Sequence, residues 1–301
     1  MTLASKRFLH PEAIRKLSRM EIRARYIVEG FLSGMHRSPY FGQSVEFLQH
    51  REYNRGDELR HVDWKVWAKQ DKYFIKQYEA ETNMRTSLLV DVSNSMRYGR
   101  GPMTKYDYAC TSACSLAYLL LRQQDAVSAV SFADSVKSHT PMRSKRDHLF
   151  SIMRVFENNE PREKTDLFHI LRNMAELTPK RGMIVIMSDL LTDREGLFKG
   201  LRLLRQRGHD VMMLHIMDDD ELDFPFNGPC RFEGLERDDK LSCNPRALRA
   251  GYLEALQKFL NEVRVGCVKA TCDYALIRTS DPLDAALATY LSNRLGMHHH
   301  N

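Results

Sequence analysis

"LLVDVSNSM", residues 88–96, runs from apolar residues straight into an aspartate and then sets a serine at every second place: Asp91, Ser93, Ser95. The preceding "TSLLVDV" (86–92) has no apolar–polar alternation, so both of its faces are suited to burial. A short strand apolar on both sides belongs in a parallel sheet covered by helices on each face. A loop that leaves such a strand with a carboxylate and two hydroxyls is not needed for packing, and its chemistry therefore points to a ligand.

Outward from that strand the chain alternates short apolar runs with longer amphipathic ones. "KYDYACTSACSLAYLLLRQQ" (105–124) has helical spacing with Thr104 placed to cap it. "AVSAVSFA" (126–133) and "SVKSHTPM" (135–142) read as strands, paired as a hairpin with the second at an edge. Helices are expected over 145–159 and 165–177, a fully apolar strand at "MIVIMSD" (183–189), a helix at 195–207 and a strand at "VMMLHIM" (211–217). After Asn244-Pro245 a long helix runs to about 264, followed by a strand near 272–278. Asp281-Pro282 opens a last helix with proline at its first position. The acidic segment 218–243, with two prolines and two glycines, interrupts the alternation and reads as a loop plus a small hairpin. The fold class is α/β: a Rossmann-like, mostly parallel central sheet with helices on both faces. Residues 1–83 form an N-terminal helix/β extension, and 84–297 form the α/β domain.

Composition narrows the function classes. The 301 residues are 43% hydrophobic and 28% charged, the balance of a globular chain. "MTLASKRFLHPEAIRKLSRM" (1–20) has no signal-peptide apolar core, and no run reaches the length of a membrane span. A cytoplasmic location is the expectation. Six cysteines without CxxC or His-spaced partners read as reduced thiols rather than a zinc site or disulfide framework. The net charge of +6 sits almost wholly in residues 1–80, with 15 Lys/Arg against 10 Asp/Glu. Bases and acids alternate there without an aromatic platform, which argues for a solvated helix face and against nucleic-acid binding.

Asp91 stands at the carboxyl end of one buried strand and Asp189 at the end of another, and open parallel sheets bind ligands beyond those ends. Carboxylate and hydroxyl oxygens suit a hard cation, Mg²⁺ or Mn²⁺. Thr165, at the start of a helix after a charged loop, is a candidate ligand or simply an N-cap. Asp91, Ser93, Ser95, Thr165 and Asp189, in that order on a βαβ framework, resemble the metal-ion-dependent adhesion site of von Willebrand factor type A domains over about residues 84–295. Lys164 departs from the glycine that often precedes the threonine there. The upstream block "FGQSVEFLQHREYNRGDELRHVDWKVWAKQDKYFIKQYEAE" (41–81) carries Arg51-x-Tyr53, Gly56-Asp57, Arg60 and Asp63-Trp64. These look like the signature of the bacterial domain-of-unknown-function-58 family. Arg51, Asp57, Arg60 and Asp63 also read as a charged structural network, and Trp64 and Trp67 as core residues.

That resemblance implies a Mg²⁺-dependent protein-interaction module whose partner contributes an Asp or Glu to the metal. It also implies a MoxR-type AAA+ ATPase as partner, with the chain as adaptor or co-chaperone. Two other classes stay open: a Mg²⁺-dependent hydrolase or phosphotransferase using Asp91, and a metal-free scaffold. Aspartyl-phosphate chemistry wants a general acid two residues beyond the nucleophile and a lysine on the phosphate. Ser93 holds the acid's place, which disfavours an enzyme. Neither a P-loop, G-x-S-x-G nor H-E-x-x-H occurs.

Overall fold

The computed structural model describes residues 50–52, 74–76, 84–101, 103–158, 166–178, 180–235, 239–283 and 288–289. The chain divides into two compact units, one of them Leu32–Asn83. In that unit the described residues are two strands, β1 (His50–Glu52) and β2 (Phe74–Lys76), paired antiparallel with Arg51 opposite Ile75. The remaining signature positions, Tyr53, Gly56, Asp57, Arg60, Asp63 and Trp64, lie outside the described residues, as does Trp67. So do Thr165 and most of the helix expected after Pro282.

The α/β unit runs in chain order through β3 (Arg85–Asp91), α1 (Lys105–Arg122), β4 (Ala126–Phe132), β5 (Val136–His139), α2 (His148–Glu157), α3 (Leu167–Leu177), β6 (Met183–Ser188), α4 (Arg194–Gln206) and β7 (Asp210–Met217). It continues through α5 (Asp219–Asp223), the hairpin β8 (Cys230–Glu233) and β9 (Lys240–Cys243), α6 (Pro245–Lys269) and β10 (Asp273–Arg278). The six-stranded sheet has the order β10-β7-β6-β3-β4-β5. All neighbours are parallel except β4 and β5, the expected hairpin with β5 at the edge. The mostly parallel, doubly covered sheet follows the sequence expectation.

Two-residue periodicity sorts the strands' side chains between two helical layers. Leu89, Val130, Phe132, Ile184, Ile186, Val211 and Met213 join one buried cluster with residues of α3, α4 and the last turns of α6. On the opposite face α1 and α2 cover β3 and β4. Every residue of β6 is buried, as a central strand requires. Thr104 caps α1 with a full capping box through Asp107, and Asn244 caps α6 with Pro245 just inside it. The acidic segment forms the expected hairpin and, in addition, the short helix α5 that its composition had concealed. The six cysteines are free thiols.

Candidate metal-binding site at the carboxyl edge of the sheet

The register of β3 on β6 pairs Val90 with Met187, so the next residues, Asp91 and Ser188, lie side by side at the strands' carboxyl ends. Ser188 Oγ donates to Asp91 Oδ2 at 2.6 Å, and the Ser93 amide donates to Asp91 Oδ1 at 2.8 Å. The chain then coils into a short 3-10 turn, Asn94–Arg97, anchored by the buried Met96. This turn brings Ser93 Oγ within 3.1 Å of Ser95 Oγ, and the Ser95 hydroxyl is near enough to Asp189 to help hold its carboxyl low. Asp91, Ser93, Ser95 and Asp189 thus gather in one buried cluster, each at most 7% exposed. Asp189 is set by a tight turn: Leu190, also buried, takes a left-handed φ of 56°, and its amide donates to Ser188 Oγ at 3.0 Å. A non-glycine residue in that region costs about 1 kcal/mol or more and is tolerated where the surroundings fix it.

Sequence reasoning missed the cation. Lys105, the first residue of α1, is completely buried, and its Nζ donates to Asp189 Oδ2 and to Glu221 Oε1, both at 2.7 Å. Gly99 helps deliver it there, since a Cβ at that position would come within 2.7 Å of the Met103 carbonyl oxygen. Glu221 does two jobs. Its Oε2 accepts the Asp218 amide at 2.9 Å, closing the capping box of α5, while Oε1 holds the lysine. The flank is held by Thr279 Oγ1 donating to Asp218 Oδ2 at 2.7 Å, by Tyr98 Oη donating to Asp220 at 3.2 Å, and by Tyr252 Oη donating to the Glu221 carbonyl at 2.8 Å. Two signals in the sequence mark these residues. Asp218-x-x-Glu221 is a capping-box pattern, and a lysine at the first position of a helix opposes the helix dipole and so asks for a partner.

Beneath Asp189 sits His215, fully buried on β7. Its Nε2 lies 2.9 Å from the Asp189 carbonyl oxygen and its Nδ1 2.9 Å from Tyr274 Oη. A carbonyl only accepts, which assigns the proton to Nε2 and leaves Nδ1 to accept from the tyrosine. Burial pushes this imidazole down to about 4, so it is neutral at physiological pH.

Burial, and then the neighbouring Asp189, push Asp91 up to about 6, against the opposing hydrogen bonds from Ser188 and Ser93. Burial also acts to raise Asp189, but Lys105 outweighs it and holds this carboxyl below the ordinary range. Burial acts to lower Lys105, and the two carboxylates more than reverse it. For Glu221 burial prevails over Lys105 and the group is raised. The site is therefore short of positive charge: ionised Asp91, Asp189 and Glu221 face one ammonium. Two uncompensated negative charges and an all-oxygen donor set fit a small divalent cation. Among the described residues no group of three or more His, Cys, Asp or Glu side chains could hold a metal. The residues that would hold such an ion are Asp91 and Asp189 with the hydroxyls of Ser93 and Ser95. That sparse protein ligation is ordinary for Mg²⁺.

The family model described as "Protein of unknown function DUF58" matches residues 49–259. The uncharacterized protein Rv1480 of Mycobacterium tuberculosis is 25% identical over 229 residues, covering 75% of this chain and 72% of that protein. Among solved structures, the conserved hypothetical protein BatB from Bacteroides thetaiotaomicron aligns at TM-score 0.47 and 15% identity, over 69% of this chain and 97% of its own. The SpRpn10 VWA domain aligns at TM-score 0.38 and 13% identity, over 67% of this chain and 92% of its own. No helix among the described residues is long and apolar enough to cross a membrane.

Proposed function

The chain belongs to the DUF58 family, and from the site at its sheet edge we propose that it is a Mg²⁺-dependent protein-interaction module. The observation that carries this reading is the convergence of Asp91, Ser93, Ser95 and Asp189 from two adjacent strand ends into one buried cluster, in which Asp91, Ser93 and Ser95 are linked by hydrogen bonds. An ion held there would be a point of attachment for an Asp or Glu of a partner protein. Asp91 and Asp189 carry the charge that holds the ion. Ser93 and Ser95 would add neutral oxygens, so the serines bring no further negative charge against an incoming carboxylate. Ser188 and the Ser93 amide fix the Asp91 carboxylate plane. His215, through the Asp189 carbonyl, fixes the backbone from which Asp189 projects. Within this reading the partner suggested by the family resemblance is a MoxR-type AAA+ ATPase in the cytoplasm, with the chain as adaptor or co-chaperone.

Lys105 supplies the lysine that a phosphotransferase would need, which is the one observation favouring an enzyme. Its ammonium is buried and engaged by two carboxylates, and Ser93 still stands where the general acid is required. The binding reading is the better supported. Calorimetric titration with Mg²⁺ and Mn²⁺ tests it, with Asp91→Ala alongside and a phosphate-ester panel as the enzyme control. Binding lost in Asp91→Ala, without turnover, is the expected result. Asp91-dependent turnover would establish the enzyme, and absence of binding the scaffold. A MoxR-type ATPase is expected to co-purify in Mg²⁺ and to be released by chelator.

A further inference from the structure

Nothing in the donor set of a metal-binding cluster calls for a buried lysine on one of its two aspartates. A lysine without access to water is stabilised only where carboxylates surround it, and Lys105 has Asp189 and Glu221, each at 2.7 Å. Its position is over-determined: the backbone amide of Lys105 donates to the Tyr98 carbonyl at 2.8 Å, and Thr104 caps the helix that begins there. The ammonium is therefore a fixed part of the site. It competes for Asp189 with any cation bound between Asp91 and Asp189.

Resting on the metal reading above, we infer that Lys105 is a built-in counter-cation that sets a low resting affinity for divalent metal, with Glu221 as the counterweight that limits its effect. Both charges lie in a desolvated site, where like-charge repulsion is screened far less than at the surface. Removing the lysine charge frees Asp189 wholly for the metal and removes a repelling neighbour. Removing the Glu221 charge leaves the whole ammonium bearing on Asp189. Neutralising two residues that touch each other is thus expected to move metal affinity in opposite directions. A lysine with a purely architectural role would not do this, because losing either partner would then loosen the same helix ends and weaken binding in both variants.

The test is calorimetric titration of the full chain with MgCl₂ and MnCl₂ in three forms: the natural sequence, Lys105→Met and Glu221→Gln. Lys105→Met is expected to bind about tenfold or more tightly, and Glu221→Gln several-fold more weakly. Thermal unfolding with and without Mn²⁺ gives the second readout, in which the metal-induced rise in Tm is expected to be largest for Lys105→Met and smallest for Glu221→Gln. Should Lys105→Met not fold without metal, Lys105→Gln takes its place: it removes the charge but keeps hydrogen-bond donors for Asp189 and Glu221, and tighter metal binding is again expected. Metal binding of equal strength in all three forms, or weakened in both variants, overturns the counter-cation and leaves the metal reading standing. Binding in none of them overturns both, and binding by Lys105→Met alone is the strongest form of the expected result.

Discussion

Replacing Asp91 with asparagine is expected to make the metal-free protein more stable while removing its response to metal. Asp91 is raised from an ordinary 3.8 to about 6 in the folded chain, first by burial and then by Asp189. For an acid the sign of that shift means that the folded state favours the proton. No penalty exists below the unfolded value, it grows as pH rises between 3.8 and 6, and it is complete above 6. A shift of this size corresponds to about 3 kcal/mol at pH 8. Asparagine removes the charge but not the whole bonding pattern. Its carbonyl oxygen can still accept the Ser93 amide, whereas its NH₂ must face Ser188 Oγ, which now donates to the carboxylate. That mismatch costs about 1 kcal/mol, leaving a net gain of about 2 kcal/mol at pH 8 and a loss of about 1 kcal/mol at pH 4. For a domain of this size the gain is about 4–8 °C in Tm. Thermal and urea unfolding in chelator at the two pH values measures it, and repetition with Mg²⁺ is expected to stabilise only the natural sequence. An Asp91→Asn protein that is destabilised equally at both pH values would refute the claim that Asp91 and Asp189 are held together against their charge.

Other outcomes follow from the same geometry. Because Asp91 titrates at about 6, protons compete with the ion at that oxygen pair, and Mg²⁺ affinity by calorimetry is expected to be about tenfold weaker at pH 5 than at pH 7.5. His215 is depressed from 6.5 to about 4, so the unfolded chain takes up its proton first. Its share of the stability is whole above pH 6.5 and falls by about 3 kcal/mol as pH drops toward 4, a loss that His215→Gln is expected to lack in paired urea titrations. Gly200→Ala on α4 would set a Cβ 2.9 Å from Leu171 Cβ and is expected to cost about 1–3 kcal/mol by chemical denaturation. Gly251→Ala on the exposed side of α6 meets nothing within 4 Å, and the better helix former is expected to add about 0.5–1 kcal/mol.

The readable parts of this molecule are those whose cause is local. Leu88–Val90 and Met183–Met187 declare central strands because they are apolar on both faces, and Thr104 and Asn244 declare helix starts by their capping oxygens. Asp91, Ser93 and Ser95 fall together because one short turn contains them, and Asp189 joins them because parallel strands end at a common edge. The hidden parts depend on partners far away in sequence. Lys105, at the first position of a helix, asks for a partner without naming it, and that partner is Glu221, 116 positions later. His215 reads as an isolated polar residue in an apolar strand until the register sets Ser188 beside it, and with it the Asp189 carbonyl. Segment 218–243 reads as a loop plus a small hairpin, and the hairpin is there, yet in the part read as loop Asp218 and Glu221 spend their oxygens on the backbone of α5 and on a buried ammonium. The block at 41–81 is legible as a family signature, but most of it lies outside the described residues.

Glu221 ties the inheritance of two distant stretches together. One of its oxygens starts a five-residue helix and the other answers a lysine 116 positions earlier in the chain. A shortened or exchanged 218–223 segment would strand that lysine in a dry interior, so the two stretches are expected to change as a pair. A chimera carrying Asp91–Lys105 into another sheet would need this acidic crossing as its companion graft.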